Sequence, residues 1–81
     1  MLFMARFFFH IREGNRTTLD PVGEYFTGLD AARMNALAFI SQTIVNDLRI
    51  LGTVRQRYVD IAGEDGRVVA TIPFLASQAI D

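Results

Sequence analysis

Few side chains in this sequence are of a type that does chemistry, and their surroundings decide how far each can go. His10 is the one histidine, and an imidazole works as a general base or a metal ligand only beside a nucleophile, an orienting carboxylate or further ligands. With no cysteine and no second histidine, the chain offers no zinc set, and His10 reads as a histidine packed on a sheet face. Ser41 and Ser77 lack the glycine-flanked elbow that presents a serine nucleophile, so they read as a solvated helix residue and a tail residue. Gly63-Glu64-Asp65-Gly66 is acidic but far shorter than the roughly 12-residue loops that wrap calcium, and reads as a turn. These residues predict no catalytic set, no metal site and no cofactor, which puts a non-enzymatic protein ahead of an enzyme.

The arginines are the other candidates. All eight basic residues are arginine, a usage that suits bidentate contacts to carboxylate or phosphate and that a GC-rich genome would also produce. Arg55, Arg57 and Arg67, joined by Arg12 or Arg16, could form a patch at one end of a final hairpin and contact phosphates. Asp60, Glu64 and Asp65 are interleaved with them, and a pI of about 5.7 is opposite to the basic footprint of nucleic-acid binders. A nucleic-acid-associated regulator using Arg12, Arg55, Arg57 and Arg67 is therefore the alternative reading.

These residues must be positioned by a small scaffold. Residues 1–81 make a single domain, near the lower end of what folds on one core. Hydrophobic residues are 51% and charged residues 21%, which argues against disorder and predicts a homo-oligomer associating through leftover apolar surface. No apolar run approaches the about 18 residues that span a membrane. Met1 to Ala5 lacks the pattern of a signal peptide and Arg6 interrupts it, so the cytoplasm is the expected location.

The first strand runs from about Leu2 to Arg12. Its odd positions Phe3, Ala5, Phe7, Phe9 and Ile11 are all apolar and form the core face, while the even face carries Leu2, Met4, Arg6, Phe8, His10 and Arg12. Burying Phe7, Phe8, Phe9 and Ile11, at roughly 1.5–3 kcal/mol each, is a large driving force, so this strand belongs inside a sheet. Glu13-Gly14-Asn15-Arg16 predicts a hairpin turn into a short strand, Thr17 to Leu19. Asp20-Pro21-Val22-Gly23 has the residues of a type I turn in order, and Glu24 to Thr27 can form a brief third strand.

Leu29, Ala32, Ala36, Leu37, Ile40, Ile44 and Leu51 recur at helical spacing and predict one amphipathic helix over 29–51, with Asp30, Asn35, Ser41, Gln42, Asn46 and Arg49 on its outer side. Gly28 or Asp30 is the N-cap and Gly52 the stop. Arg33 and Asp47 break the apolar stripe and are expected to reach water beyond the sheet edge. In the last hairpin, a loop Gly63-Glu64-Asp65-Gly66 that sets Ile61 opposite Val68 gathers Val59, Ile61, Val68, Ala70, Ile72 and Phe74 on one face, and Gly66 takes the left-handed position. A loop one residue shorter would move Ala70, Ile72 and Phe74 to the face of Tyr58 and Asp60. Pro73 marks an edge or an end, and residues 75–81 are a frayed or docked tail.

The order strand, strand, short strand, helix, strand, strand gives an α+β two-layer sandwich, one helix on an antiparallel sheet. One helix covers one side. The other would carry Met4, Phe8, His10 and Tyr58, an aromatic strip of the kind that marks an interface. Charge lining that side, or a cover supplied by the same copy, would remove the basis for association there.

Phe7-Phe8-Phe9-His10-Ile11-Arg12-Glu13-Gly14, then Asp20-Pro21-Val22-Gly23, then Leu29-Asp30-Ala31-Ala32-Arg33, then Gly66-Arg67 leading to Ile72-Pro73-Phe74, together resemble a domain-of-unknown-function family of small proteins from soil and plant-associated alphaproteobacteria. The likeness runs from Arg6 to Phe74, with Gly28 standing where the family usually has aspartate and Gly63 where an acid is common. Both departures touch capping and turn chemistry. The resemblance implies a fold and a bacterial origin and carries no activity with it. The helix start and element order are also similar to small antitoxin domains that pair with RNA-cleaving toxins, an analogy at the level of fold. The expectation is a small cytoplasmic interaction or regulatory domain, homodimeric through the aromatic sheet face, with any further protein partner unspecified.

Overall fold

The computed structural model describes residues 3–75, so Leu2, Ser77 and the tail over 76–81 lie outside the described residues. The first strand begins at Ala5, and Phe3, expected on its core face, precedes it and is exposed. The elements are β1 (Ala5–Glu13), β2 (Arg16–Thr18), β3 (Glu24–Phe26), α1 (Leu29–Leu51), β4 (Tyr58–Ala62) and β5 (Val68–Pro73). One helix lies on an open antiparallel sheet, the expected α+β order. The strand order is β2-β1-β4-β5, with β3 also on β1. Among the described residues no helix is long and apolar enough to cross a membrane.

β2 and β3 are two halves of one return strand. Ile11 to Glu13 pair with Thr18 to Arg16, and Ala5 to Phe7 pair with Phe26 to Glu24. Six steps from Thr18 to Glu24 face four from Ile11 to Phe7, so the chain between them swings out of the ladder. Gly14 at φ 61 is the sole positive-φ residue of the first hairpin turn, the pattern of a type II′ turn.

The core forms where β1, β4 and β5 meet the helix. Phe7, Val59, Ile61, Ile72 and Phe74 of the sheet bury against Ala32, Ala36 and Ile40 of α1, with Phe9, Ile11, Phe26, Leu29 and Ile44 packed around them. Small side chains at Ala32 and Ala36 let α1 lie close to the sheet, where its nearest strands are β3, β4 and β5. α1 starts on Gly28, whose carbonyl accepts the Ala32 N–H at 3.1 Å and which supplies no side-chain cap. It stops at Gly52, left-handed at φ 75 with its N–H on the Leu48 carbonyl.

Four further expectations are corrected. Asp47 does not reach water: it is buried on the core side of α1, because Arg57 meets it there. Leu37 and Leu51, placed on the core stripe, are exposed at 42% and 51%, since the stripe that meets the sheet is the narrower one through Ala32, Ala36, Ile40 and Asp47. The outer side of the helix is not the expected polar one, for Met34, Val45, Leu48 and Ile50 share it. The last hairpin pairs Ile61 with Ala70 and Val59 with Ile72, then shifts at a bulge so that Ala62 meets Val68. Val59, Ile61, Ala70, Ile72 and Phe74 keep their shared face, whereas the bulge leaves Val68 54% exposed.

Candidate functional site

The gap between β2 and β3 is closed by side chains. With no strand opposite it, the Phe9 N–H donates instead to Asp20 Oδ2 at 3.1 Å. Asp20 Oδ1 accepts the N–H groups of Val22 and Gly23, and the Asp20 N–H donates to His10 Nδ1 at 3.0 Å. One carboxylate and one imidazole thus replace a missing stretch of ladder, satisfying backbone groups that would otherwise be orphaned. Burial works to raise the Asp20 pKa, but the N–H groups of Gly23, Phe9 and Val22, with His10 beside them, outweigh it and hold the carboxyl below its ordinary range. Gly23 is required twice over: its φ is +72°, and a Cβ there would lie 2.9 Å from the Phe7 carbonyl oxygen and from Phe8 Cε2.

That arrangement decides what His10 can do. Its Nδ1 lone pair is spent on a backbone N–H, which leaves Nε2 carrying the proton and acting as a donor. A general base needs the reverse, a free lone pair turned to the substrate and a carboxylate behind the other nitrogen.

The expected interface residues lie on the side of the sheet away from the helix. Met4 is 47% exposed, while Phe8, His10 and Tyr58 are half-buried. What covers the aromatics is charge from the same strand. The Arg6 guanidinium sits 5.0 Å from the Phe8 ring centre and 5.8 Å from that of Tyr25, and Arg12 sits 4.6 Å over Tyr58. Phe8 stacks on His10 at 6.4 Å. Arg12 also grips Asp60 with two bonds, Nε to Oδ2 at 2.9 Å and Nη2 to Oδ1 at 3.2 Å, and Thr71 Oγ1 donates to the same carboxylate at 2.7 Å. Arg12 chiefly, with Thr71, holds the Asp60 carboxyl below its usual range against the effect of burial, and Asp60 raises the Arg12 pKa in turn. The bare aromatic strip expected on this side is a surface tiled with guanidinium groups.

The four arginines expected to share an anion are separated. Arg12 is on the open sheet face, held by Asp60. Arg57 is on the helix side, bonded to Asp47 of α1 and stacked 4.7 Å over Phe74. Arg67 follows the turn at the Ala62 end of β4, whereas Arg55 and Arg57 precede its Tyr58 end. A strand of that length holds those ends roughly 15 Å apart. Arg16, named as the alternative to Arg12 in that patch, joins Arg55 and Arg57 around a cleft also lined by Ile11, Glu13 and Thr18.

A different feature escaped the sequence reading. Met34, Leu37, Val45 and Leu48 form an apolar ridge along the outer flank of α1, exposed at 67%, 42%, 49% and 52%. The signal was present as a second set of apolar residues at helical spacing, interrupted by Ser41.

Residues 6–76 match the family described as a domain of unknown function (DUF6894), in keeping with the resemblance read from Arg6 to Phe74. No curated protein and no solved structure matches the chain. Because the match covers most of the sequence, the protein belongs to the DUF6894 family.

Proposed function

We propose that this member of the family is a small non-enzymatic interaction domain that self-associates, using the outer flank of α1. The observation that carries this reading is the ridge of Met34, Leu37, Val45 and Leu48, left 42–67% exposed on an otherwise folded chain. Side chains of that size at that exposure present on the order of 400 Å² of apolar surface, the size of the largest patch on a typical monomer, which is often a functional one. Met34, Ala38, Ser41, Val45 and Leu48 alternate at four and three residues, the spacing of a helix-pairing seam. Two copies set antiparallel about Ser41 would place Met34 against Leu48 and Leu37 against Val45, with the small Ala38 and Ser41 allowing axes about 8–10 Å apart. Such a contact buries on the order of 800–1,200 Å² in all, the range of weak association, so the oligomer forms as concentration rises.

Other parts of the molecule support the same reading. His10, Asp20 and Asp60, the groups a reaction would recruit, are committed to backbone and to Arg12. Burying the sheet face around Met4 and Phe8 would require Arg6 and Arg12 to lose water, which makes it the weaker surface. A nucleic-acid role has less behind it, with Arg12 and Arg57 held by carboxylates and Arg67 remote from Arg55. The bacterial origin proposed with this reading rests on the motif resemblance alone.

Sedimentation equilibrium from micromolar to millimolar protein tests the proposal with the wild type, Leu37→Glu/Leu48→Glu and Met4→Asp. Wild type and Met4→Asp are expected to gain mass with concentration, and the double variant to stay at one chain. A wild type that never exceeds one chain, or association lost in Met4→Asp and retained in the double variant, overturns it.

A further inference from the structure

We propose that the cleft beside the β1–β2 hairpin binds a small molecule through a phosphate group. It has a volume of about 400 Å³ and is lined by Ile11, Glu13, Arg16, Thr18, Arg55 and Arg57, within the size range of small-molecule sites. Two segments build it. The hairpin places Thr18 opposite Ile11 and Arg16 opposite Glu13, and the parity of the strands turns all four to the helix side. The segment leading from α1 to β4 brings Arg55 and Arg57 over them, anchored by Asp47, which bonds the Arg57 side chain and accepts the Arg55 N–H at 3.4 Å.

The charges in the cleft are not balanced. Three guanidiniums meet two carboxylates, Glu13 and Asp47. The Glu13 to Arg55 contact is long at 3.6 Å and exposed on both sides, so it yields readily to a stronger anion. Arg16 has no ion-pair partner among the described residues, and the buried Arg57 Nε has no hydrogen-bond partner among them either. Donors thus converge from β2 and from the α1–β4 segment, around a wall formed by Ile11. A tetrahedral phosphate presents oxygens in three directions and can accept from the forks of Arg16 and Arg55 and from the Thr18 hydroxyl together, where a planar carboxylate satisfies fewer. Ile11 is left to contact an apolar group esterified to it. A small phosphomonoester suits the site better than a polyanion strand, because Glu13 stands within the cleft and the whole chain carries a formal charge of −1.

The probes are phenyl phosphate and inorganic phosphate, followed by two-dimensional NMR of the intact chain at fixed ionic strength, with sulfate and a single-stranded oligonucleotide as comparison arms. Saturable shifts of the Arg16, Thr18 and Arg55 amides are expected, with phenyl phosphate bound more tightly than inorganic phosphate. Arg16→Gln/Arg55→Gln, both exposed and outside the core, should weaken binding about tenfold or more. Glu13→Gln should tighten it by removing the competing carboxylate. The proposal is overturned if no saturable shift appears at millimolar ligand, if the double variant binds as well as wild type, if sulfate binds as tightly as phenyl phosphate, or if the oligonucleotide alone binds and is lost steeply with salt.

Discussion

Replacing Asp47 with leucine should remove a large part of the stability of this domain, and replacing Asp47 and Arg57 together should not. Both side chains of the pair are 11% exposed, so each charge was withdrawn from water on folding and is compensated by the other. Asp47→Leu leaves the Arg57 guanidinium buried with an Nε that already has no partner among the described residues, and it strips the Arg55 N–H of its acceptor. Breaking a buried pair from one side costs about 3–5 kcal/mol, and the Phe74 ring beneath Arg57 should return about 1 of that, leaving about 2–4. An 81-residue domain is expected to have roughly 4–12 kcal/mol in total, so the variant would lose about a sixth of it or more and its Tm would fall by about 8–32 °C. In Asp47→Leu/Arg57→Met both charges are gone and the volume is nearly kept beside Ile44 and Phe74, so its stability should lie within about 1 kcal/mol of wild type. Urea unfolding followed by circular dichroism across the double-mutant cycle measures this. A single Asp47→Leu variant costing under about 1 kcal/mol, or a double variant no better than the worse single one, refutes the account.

Two further outcomes follow from geometry already described. Gly28→Asp would restore a helix cap: the position is extended at φ 178 with nothing within 4 Å of an added Cβ, so the change should stabilise by about 1 kcal/mol and raise Tm by about 4–8 °C. Asp20 and Asp60 both have folded pKa values below their unfolded ones. The stability they contribute is therefore complete above about pH 4 and is lost as pH falls through the folded values. Urea midpoints measured from neutral to acid should drop steeply in wild type and less steeply in Asp60→Asn; parallel curves would show that the Arg12 grip contributes nothing.

Local rules read much of this fold directly. The end of α1, the turn at Asp20 and the core face of β1 follow from Gly52, from the Asp-Pro-x-Gly order and from alternation at Phe7, Phe9 and Ile11, whereas spacing left the start of α1 open between Gly28 and Asp30. The register of the last hairpin was less legible, because a shift of two residues keeps every side chain on its face and only the bulge at Val68 distinguishes the two. Asp47 was misplaced because its partner Arg57 lies past the end of the helix, where helical spacing says nothing. The sheet face was half legible: alternation put Phe8 and His10 together, and the same alternation put Arg6 and Arg12 there too, but not their positions over the rings. The cleft required a contact between the first hairpin and the segment after the helix, which no local pattern contains.

The broken return strand has a consequence for how copies of this protein can meet. A lateral margin suitable for another strand needs an unbroken row of free peptide groups, and here one margin is two three-residue pieces interrupted by an outward swing containing Pro21. The opposite margin, β5, carries a kink at Val68 and ends on Pro73. Among the described residues, neither margin offers the long unbroken row that strand addition favours. Edge-to-edge pairing of copies is thereby disfavoured, and the self-association proposed above would have to run through side chains such as those on the α1 flank rather than through the backbone.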